Sequence, residues 1–295
     1  MRAQGLRDLP HLGPERAKAV THSFAHGNHS HTQRKARNSG GRGDRDRTRR
    51  TLSQNFLVDP HAVRRVAEAA GSHGLLLEPG AGEGALTLAL ASGCARVVAY
   101  EIDPLYAGRL AARTRDDDRI EVVRGDFLTA RFPREPFAVA GNIPYSITSR
   151  IVDRCLRAPA LTSATLLTQL EYARKRSGDF GRWSRLTVLT WPGHSWELAG
   201  RVGRESFRPV PAVDSAILRI TPRPVPLLAG GRDAAWREFV EYGFTGLGGS
   251  LHASLRMRYA ARRVDAAFAE ARVDRDTVVA FVHPDRWLTL FELLH

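Results

Sequence analysis

The sequence predicts an α/β protein: a doubly wound parallel sheet over residues 51–222, followed by a small all-helical domain over 223–295. Three observations lead there. The near-continuous apolar runs "GLLLEPG", "ARVVAYEID", "RIEVVRGDF" and "FAVAGNIP" recur at regular intervals, as strands covered on both faces do. Segments that read as helices, such as Ala85–Ser92 and Tyr106–Thr114, lie between them, which is the alternation of a parallel sheet. Past the Pro/Gly-rich stretch "TPRPVPLLAGG" the apolar spacing becomes purely helical.

In chain order, residues 1–50 come first. They are rich in Arg, His, Gly, Ser and Asn without apolar periodicity, and read as a disordered basic tail. Within it His22, His26, His29 and His31 admit two readings, a metal cluster or a solvated low-complexity tract; no Cys or acidic partner completes a site. Order is expected from about Leu52. "DPHAVRRVAEAA" reads as a helix with Asp59 as N-cap and Pro60 in the first turn. Beyond the four strands above, Ala164–Leu170, Leu186–Trp191 and Ala216–Thr221 are further strand candidates. In the last domain Trp236, Phe239, Val240, Gly243 and Phe244 follow helical spacing, as do Trp287, Leu290, Phe291 and Leu294.

Composition excludes several classes. The 295 residues are 43% hydrophobic and 25% charged, values of a globular protein. No apolar run is long enough for a transmembrane helix, and the basic N-terminus has no apolar core of a signal peptide. Two cysteines, Cys94 and Cys155, form neither a disulfide framework nor a metal spacing, which fits a reducing cytoplasm. The net charge of +13 attracts polyanions, nucleic acid above all. The tail, with 12 basic and 4 acidic residues, carries +8 of it. Only Lys18, Lys35 and Lys175 among the 44 basic residues are lysine, so the surface is suited to bidentate phosphate contacts.

The predicted strand ends carry the chemistry. "LLLEPGAGEGALT" sets Gly80, Gly82 and Gly84 where the first strand meets a helix, and Glu78 precedes them. Glycines allow a tight turn and let a ligand lie against bare backbone, although tight packing alone would also use them. Glu101 ends the second strand, 21 residues after Gly80, where a carboxylate can accept two ribose hydroxyl protons. Asp126, in "GDF", ends the third and can accept from an adenine amino group. A single acid at a strand end is as readily a helix cap; three consecutive strand ends describe a nucleoside pocket. Without a pyrophosphate fingerprint or a P-loop lysine, S-adenosyl-L-methionine fits this pocket better than NAD or ATP.

The fourth strand end is Asn142-Ile143-Pro144-Tyr145. An amide, a proline and an exposed aromatic pack poorly, but they fit methylation of an exocyclic adenine amine. That nitrogen is a poor nucleophile because its lone pair is delocalised into the ring. Acceptors for its hydrogens, the Asn142 side-chain oxygen and the Ile143 carbonyl, favour a tetrahedral, nucleophilic nitrogen. Pro144 confines Ile143 to an extended conformation. Tyr145 offers a flat face to an unstacked base. The bland alternative is a plain Asx-Pro turn with a surface tyrosine.

Together "TLSQNFLVDP", "LEPGAGEGALT", "YEID", "RGDFL", "GNIPYSITS" and "FRPVPAVDSAIL" resemble the ribosomal RNA adenine N6-methyltransferase family, which holds the Erm macrolide-resistance enzymes and the KsgA/Dim-type small-subunit enzymes. The resemblance covers about residues 50–295. It implies a Rossmann-like class I S-adenosylmethionine methyltransferase fold. It further implies donor contacts from Asn55, Leu57, Gly80, Gly82, Glu101, Ile102, Asp126 and Phe127, and Asn142 at both the donor and the target amine. Ile143, Pro144 and Tyr145 would serve the base, with Phe207 a second aromatic wall; from the residues alone, Phe207 is equally the core anchor of a rigid loop. No metal is implied. "NIPY", "RRTLSQNFLVDP" and the arginine-rich tail resemble the Erm branch. That branch implies methylation of one adenine in the peptidyl-transferase region of 23S rRNA. A protein-poor precursor is the expected form of the RNA, no obligate protein partner is expected, and the sequence gives a monomer only by default. Macrolide, lincosamide and streptogramin B binding would be blocked. "SITSRIV" departs from the usual Ser-Thr before the helix and leaves its capping open.

For RNA beyond the pocket, eight basic residues lie between Arg174 and Arg208 with Trp183, Trp191 and Trp196 interleaved. They read either as an RNA grip with base-stacking tryptophans or as a solvated face with core tryptophans. "LRMRYAARR" reads as a basic helical stripe. Two rivals remain: methylation of paired adenines in small-subunit rRNA, and a nonenzymatic RNA-binding factor on the same scaffold.

Overall fold

A computed structural model describes residues 55–295; the basic tail and its histidine cluster lie outside the described residues. The chain enters with a two-residue strand, β1 (Phe56–Leu57). Helix α1 (Pro60–Ala70) then starts as the sequence predicts. The Asp59 side chain accepts from the His61 N–H, and Pro60 takes a first-turn position whose N–H would be unbonded anyway. There follow β2 (His73–Pro79), α2 (Ala85–Ala91), β3 (Cys94–Glu101), α3 (Pro104–Thr114), β4 (Ile120–Arg124) and β5 (Phe137–Asn142). Next come α4 (Thr148–Leu156), β6 (Leu161–Gln169), α5 (Leu170–Ser177), α6 (Arg185–Thr190), β7 (His194–Val202), β8 (Phe207–Arg208) and β9 (Ser215–Pro222). The helices α7 (Asp233–Gly243), α8 (Leu251–Arg256), α9 (Ala261–Ala271) and α10 (Pro284–Leu294) complete the chain.

Seven strands form one sheet in the order β4-β3-β2-β5-β6-β9-β7, in which β4 to β6 run parallel and β9 lies antiparallel between β6 and β7. From β2 the chain winds outward through β3 to β4, then returns to β5 on the other side of β2. The order therefore reverses between β2 and β5, where a doubly wound sheet opens a crevice at its carboxyl edge. Alternate residues of each strand face opposite layers. Leu75, Leu77, Val139 and Leu166 pack under α4; Leu76, Val97, Ala138 and Leu167 pack under α1 and α2. This two-faced burial is why the strands are apolar throughout.

Two expectations fail in the second half. Leu186–Trp191, expected as a strand, is the helix α6. The Ser184 hydroxyl accepts from the Thr187 N–H and caps it, and Val188 lies buried among Trp236, Phe239 and Phe291 of the C-terminal helices. Packing against those helices overrides the β-branched composition. The strand that flanks β9 on the side away from β6 is β7, where a register shift between Leu198 and Gly200 hides the alternation. "LRMRYAARR" is also not one helical stripe, since α8 ends at Arg256 and α9 starts at Ala261. Arg258 pairs with Glu238, and Arg263 donates to the Leu293 and Leu294 carbonyls at the end of α10. The C-terminal core is dense in aromatics, with Trp287 stacked on Phe244 at 5.2 Å and edge-on to Phe239. Among the described residues no helix is long and apolar enough to cross a membrane, and both cysteines are free and buried.

Candidate active site

The carboxyl edge of the sheet brings the predicted strand ends together in the predicted order. The turn after β2 is tied to the end of β3, because the Gly80 and Ala81 N–H groups both donate to the Tyr100 carbonyl. One strand further, the Gly125 N–H donates to the Glu101 carbonyl at 2.9 Å. On the other side β2 and β5 approach so closely that a β-carbon on Gly141 would lie 2.8 Å from the Pro79 carbonyl oxygen. Gly80 and Gly82 have φ of +71° and +58°, a region that side chains disfavour. A β-carbon on Gly80 would meet nothing nearer than the Asn142 carbonyl oxygen and Pro144, each 3.8 Å away. Bare backbone thus faces the crevice. A pocket there is lined by Asn55, Phe56, Gly80, Asn142, Ile143, Pro144 and Tyr145.

The acids behave differently from one another. Glu101 is wholly buried; one carboxylate oxygen accepts from the Gly82 N–H at 2.7 Å and the other from the Asp103 N–H at 2.8 Å. It holds the glycine turn in place, a role the sequence reading missed. Asp126 is half-buried and accepts from the Leu128 N–H; its second oxygen takes no donor among the described residues. Glu78, beneath the turn, is buried with one oxygen unpaired. Desolvation pushes its carboxyl up to about 8, with Glu101 adding to the shift and the Thr87 hydroxyl opposing it. A buried polar oxygen without a partner calls for an explanation, and a polar ligand in the crevice supplies one. Bare glycine backbone, free acceptors at the strand ends and this orphaned oxygen fit an S-adenosylmethionine nucleoside and its amino-acid arm.

At the β5 end, the Asn142 side-chain N–H donates to the Asn55 carbonyl at 2.7 Å. This orients the amide and leaves its oxygen without a donor among the described residues. The contact also explains how Asn55 and Phe56, far away in sequence, reach the site. The Ile143 carbonyl likewise takes no donor among the described residues, although the Ile143 side chain is buried. Pro144 has an extended ψ of 131°, and Tyr145–Ile147 form a 3-10 turn that leads into α4 with no side-chain cap. The Tyr145 hydroxyl is 2.6 Å from the Ser215 hydroxyl of β9. Burial raises the Tyr145 pKa, and Asp214 adds to this while the Ser215 hydrogen bond opposes it. The group is a neutral phenol at physiological pH, unsuited to act as a base.

Four further expected site residues lie outside the pocket lining, and one of them, Phe207, carries a correction. Phe207 is fully buried and pairs across the β1–β8 ribbon with Leu57, itself buried. Of its two readings the core anchor holds, and its ring is no wall of the pocket. The Leu57 and Phe127 side chains are buried, and the Phe127 ring packs between Tyr100 and Phe132. Ile102 is exposed beside Glu101. Phe56, not singled out from the sequence, lies over the turn, its ring 3.0 Å from where a Gly82 β-carbon would be and 5.1 Å from Tyr106. Of the three tryptophans, Trp196 is buried and reads as core, and Trp183 and Trp191 pack edge-on with His283.

Comparison with known proteins agrees with this geometry. The family model described as ribosomal RNA adenine dimethylase matches residues 45–295. An rRNA methyltransferase of Streptomyces thermotolerans is 55% identical, over 89% of this chain and 88% of its own. The mycinamicin-resistance protein MyrB of Micromonospora griseorubida is 38% identical, over 83% of this chain and 78% of its own. The crystal structure of the 23S rRNA methyltransferase ErmE superimposes with a TM-score of 0.79 at 52% identity, covering 81% of this chain and 99% of that one. With the glycine turn, the strand-end acceptors and the Asn142–Tyr145 turn in register along one sheet edge, the chain belongs to the ribosomal RNA adenine dimethylase family and is an S-adenosylmethionine-dependent methyltransferase.

Proposed function

We propose that this chain transfers the methyl group of S-adenosylmethionine to N6 of one adenine in the peptidyl-transferase region of 23S rRNA, and so confers resistance to macrolide, lincosamide and streptogramin B antibiotics. The observation that carries the reading is the Asn142–Tyr145 turn, set at the point where the strand order reverses, beside bare glycine backbone. Kinship with a 23S enzyme along nearly its whole length favours this substrate over small-subunit rRNA.

S-adenosylmethionine supplies an electrophilic methyl group on a sulfonium. The chain's own residues do the rest. Gly80 would present bare backbone to the donor and Asp126, with one oxygen free, would accept from its adenine amine, while Glu101, bonded through both oxygens, would hold the glycine turn against it. The Asn142 oxygen and the Ile143 carbonyl accept the two hydrogens of the target amine and draw its lone pair out of conjugation. Pro144 fixes the direction of the Ile143 carbonyl. Tyr145 stacks on the extruded base, a contact worth about 1–3 kcal/mol. No strong base is needed, because alignment for in-line displacement supplies most of the acceleration. The working species is a monomer on protein-poor 23S rRNA.

Asn142→Ala tests the assignment. Its loss removes one acceptor and the hydrogen bond to Asn55, which costs about 1 kcal/mol of stability. Methyl transfer to rRNA should disappear while circular dichroism and the melting transition stay close to the parent. Full activity in this variant contradicts the role.

A further inference from the structure

Outside the pocket, one aromatic is displayed against every local preference. Phe180 is 68% exposed and has a φ of +62°, a backbone region that bulky residues avoid. The turn that holds it is built. The Gly181 N–H donates to the Gly178 carbonyl, and the Trp183 ring fills the space a Gly178 side chain would need. One Asp179 oxygen accepts from the Phe180 N–H at 3.1 Å. The other lies 2.9 Å from Arg174 Nε and 3.9 Å from Arg201; the approach to Arg174 is an ion pair without hydrogen-bond alignment. The Arg174 guanidinium sits over the Phe180 ring, 4.4 Å from its centre. A lone exposed phenylalanine is ordinary. One held in a left-handed conformation, by a turn braced on two arginines, calls for a ligand.

The turn lies toward the same sheet edge as the catalytic turn. Arg201 adjoins Val202, which pairs with Ser215, and Ser215 holds the Tyr145 hydroxyl. The first N–H of α5, whose far end leads into the Phe180 turn, donates to the Asp214 carbonyl beside Ser215. Two guanidinium groups share one carboxylate, so the turn keeps positive charge. A flat neutral ring beside such charge matches a nucleobase and its phosphate.

We propose that Phe180 is a positioning residue: its ring stacks on an unpaired base flanking the target adenine, with Arg174 and Arg201 beside that nucleotide's phosphate. This rests on the RNA substrate proposed above.

Phe180→Ala, Phe180→Trp and Phe180→Asn test it, in the full chain, on a protein-free 23S rRNA fragment. Asparagine tolerates the left-handed conformation, so it removes the ring without adding strain. Phe180→Ala and Phe180→Asn should raise the RNA KM and Kd roughly 5- to 150-fold, with kcat at saturating RNA and donor affinity unchanged. Phe180→Trp should restore parental values, and the melting temperature of Phe180→Asn should equal or exceed the parent's. Parental RNA affinity in the Ala and Asn variants overturns the proposal. So does a loss that Trp does not restore and that follows melting temperature, which would make the turn structural only. If the parent methylates no rRNA, the proposed function falls; the Kd comparison on the same fragment still judges Phe180.

Discussion

The hydrogen bond between Tyr145 and Ser215 permits a prediction worked from geometry. The hydroxyls are 2.6 Å apart, and Ser215 is wholly buried in β9, whereas Tyr145 is half-buried. Tyr145→Phe leaves the Ser215 hydroxyl without water or partner. Its cost is the desolvation of an orphaned group, about 1–3 kcal/mol. Ser215→Ala leaves the hydroxyl of the less buried partner and should cost less, about 0.5–1.5 kcal/mol. The double variant orphans nothing. It should be more stable than the sum of the single losses by about 1 kcal/mol. Urea unfolding of the four proteins measures this cycle directly. Kinetics separate the ring from the hydroxyl. Tyr145→Phe keeps the stacking face, so its RNA KM should stay close to the parent's. Tyr145→Ala removes that face and should raise KM by roughly 5- to 150-fold. Additivity within about 0.3 kcal/mol, or equal KM values for the Phe and Ala variants, would refute the reasoning.

Two further outcomes follow from the same edge. Gly141→Ala places a β-carbon 2.8 Å from the Pro79 carbonyl, which cannot yield without parting β2 from β5. It should cost about 1–3 kcal/mol by thermal melting and weaken donor binding. Glu78, held protonated by burial up to about 8 against an ordinary value of 4.5, keeps a proton on folding that the unfolded chain has lost. Stability should therefore fall as pH rises from about 4.5 to about 8. Glu78→Gln should flatten that slope in melting experiments between pH 5 and pH 8 (roughly the window set by the linkage relation), while S-adenosylmethionine affinity falls by calorimetry.

The sheet and its chemical edge were legible because each strand is covered on both faces and ends in a residue that packing does not explain. Gly80, Glu101, Asp126 and Asn142 meet along one edge because parallel strands place their ends together. What sequence could not supply is tertiary. α6 is a helix because the C-terminal aromatics cover Val188. Phe207 could be wall or anchor until its pairing with Leu57 was seen. The two carboxylate bonds of Glu101 depend on how the glycine turn folds back. Phe180 carries no sequence signal apart from glycines on either side of Asp179-Phe180.

The most direct test incubates the purified chain with labelled S-adenosylmethionine and, separately, protein-free 23S rRNA, protein-free 16S rRNA and small subunits, then maps the product by primer extension and mass spectrometry. Label confined to one adenine of the peptidyl-transferase region of 23S rRNA is the predicted result. Label in adjacent adenines of small-subunit RNA, or none in any RNA, would contradict it.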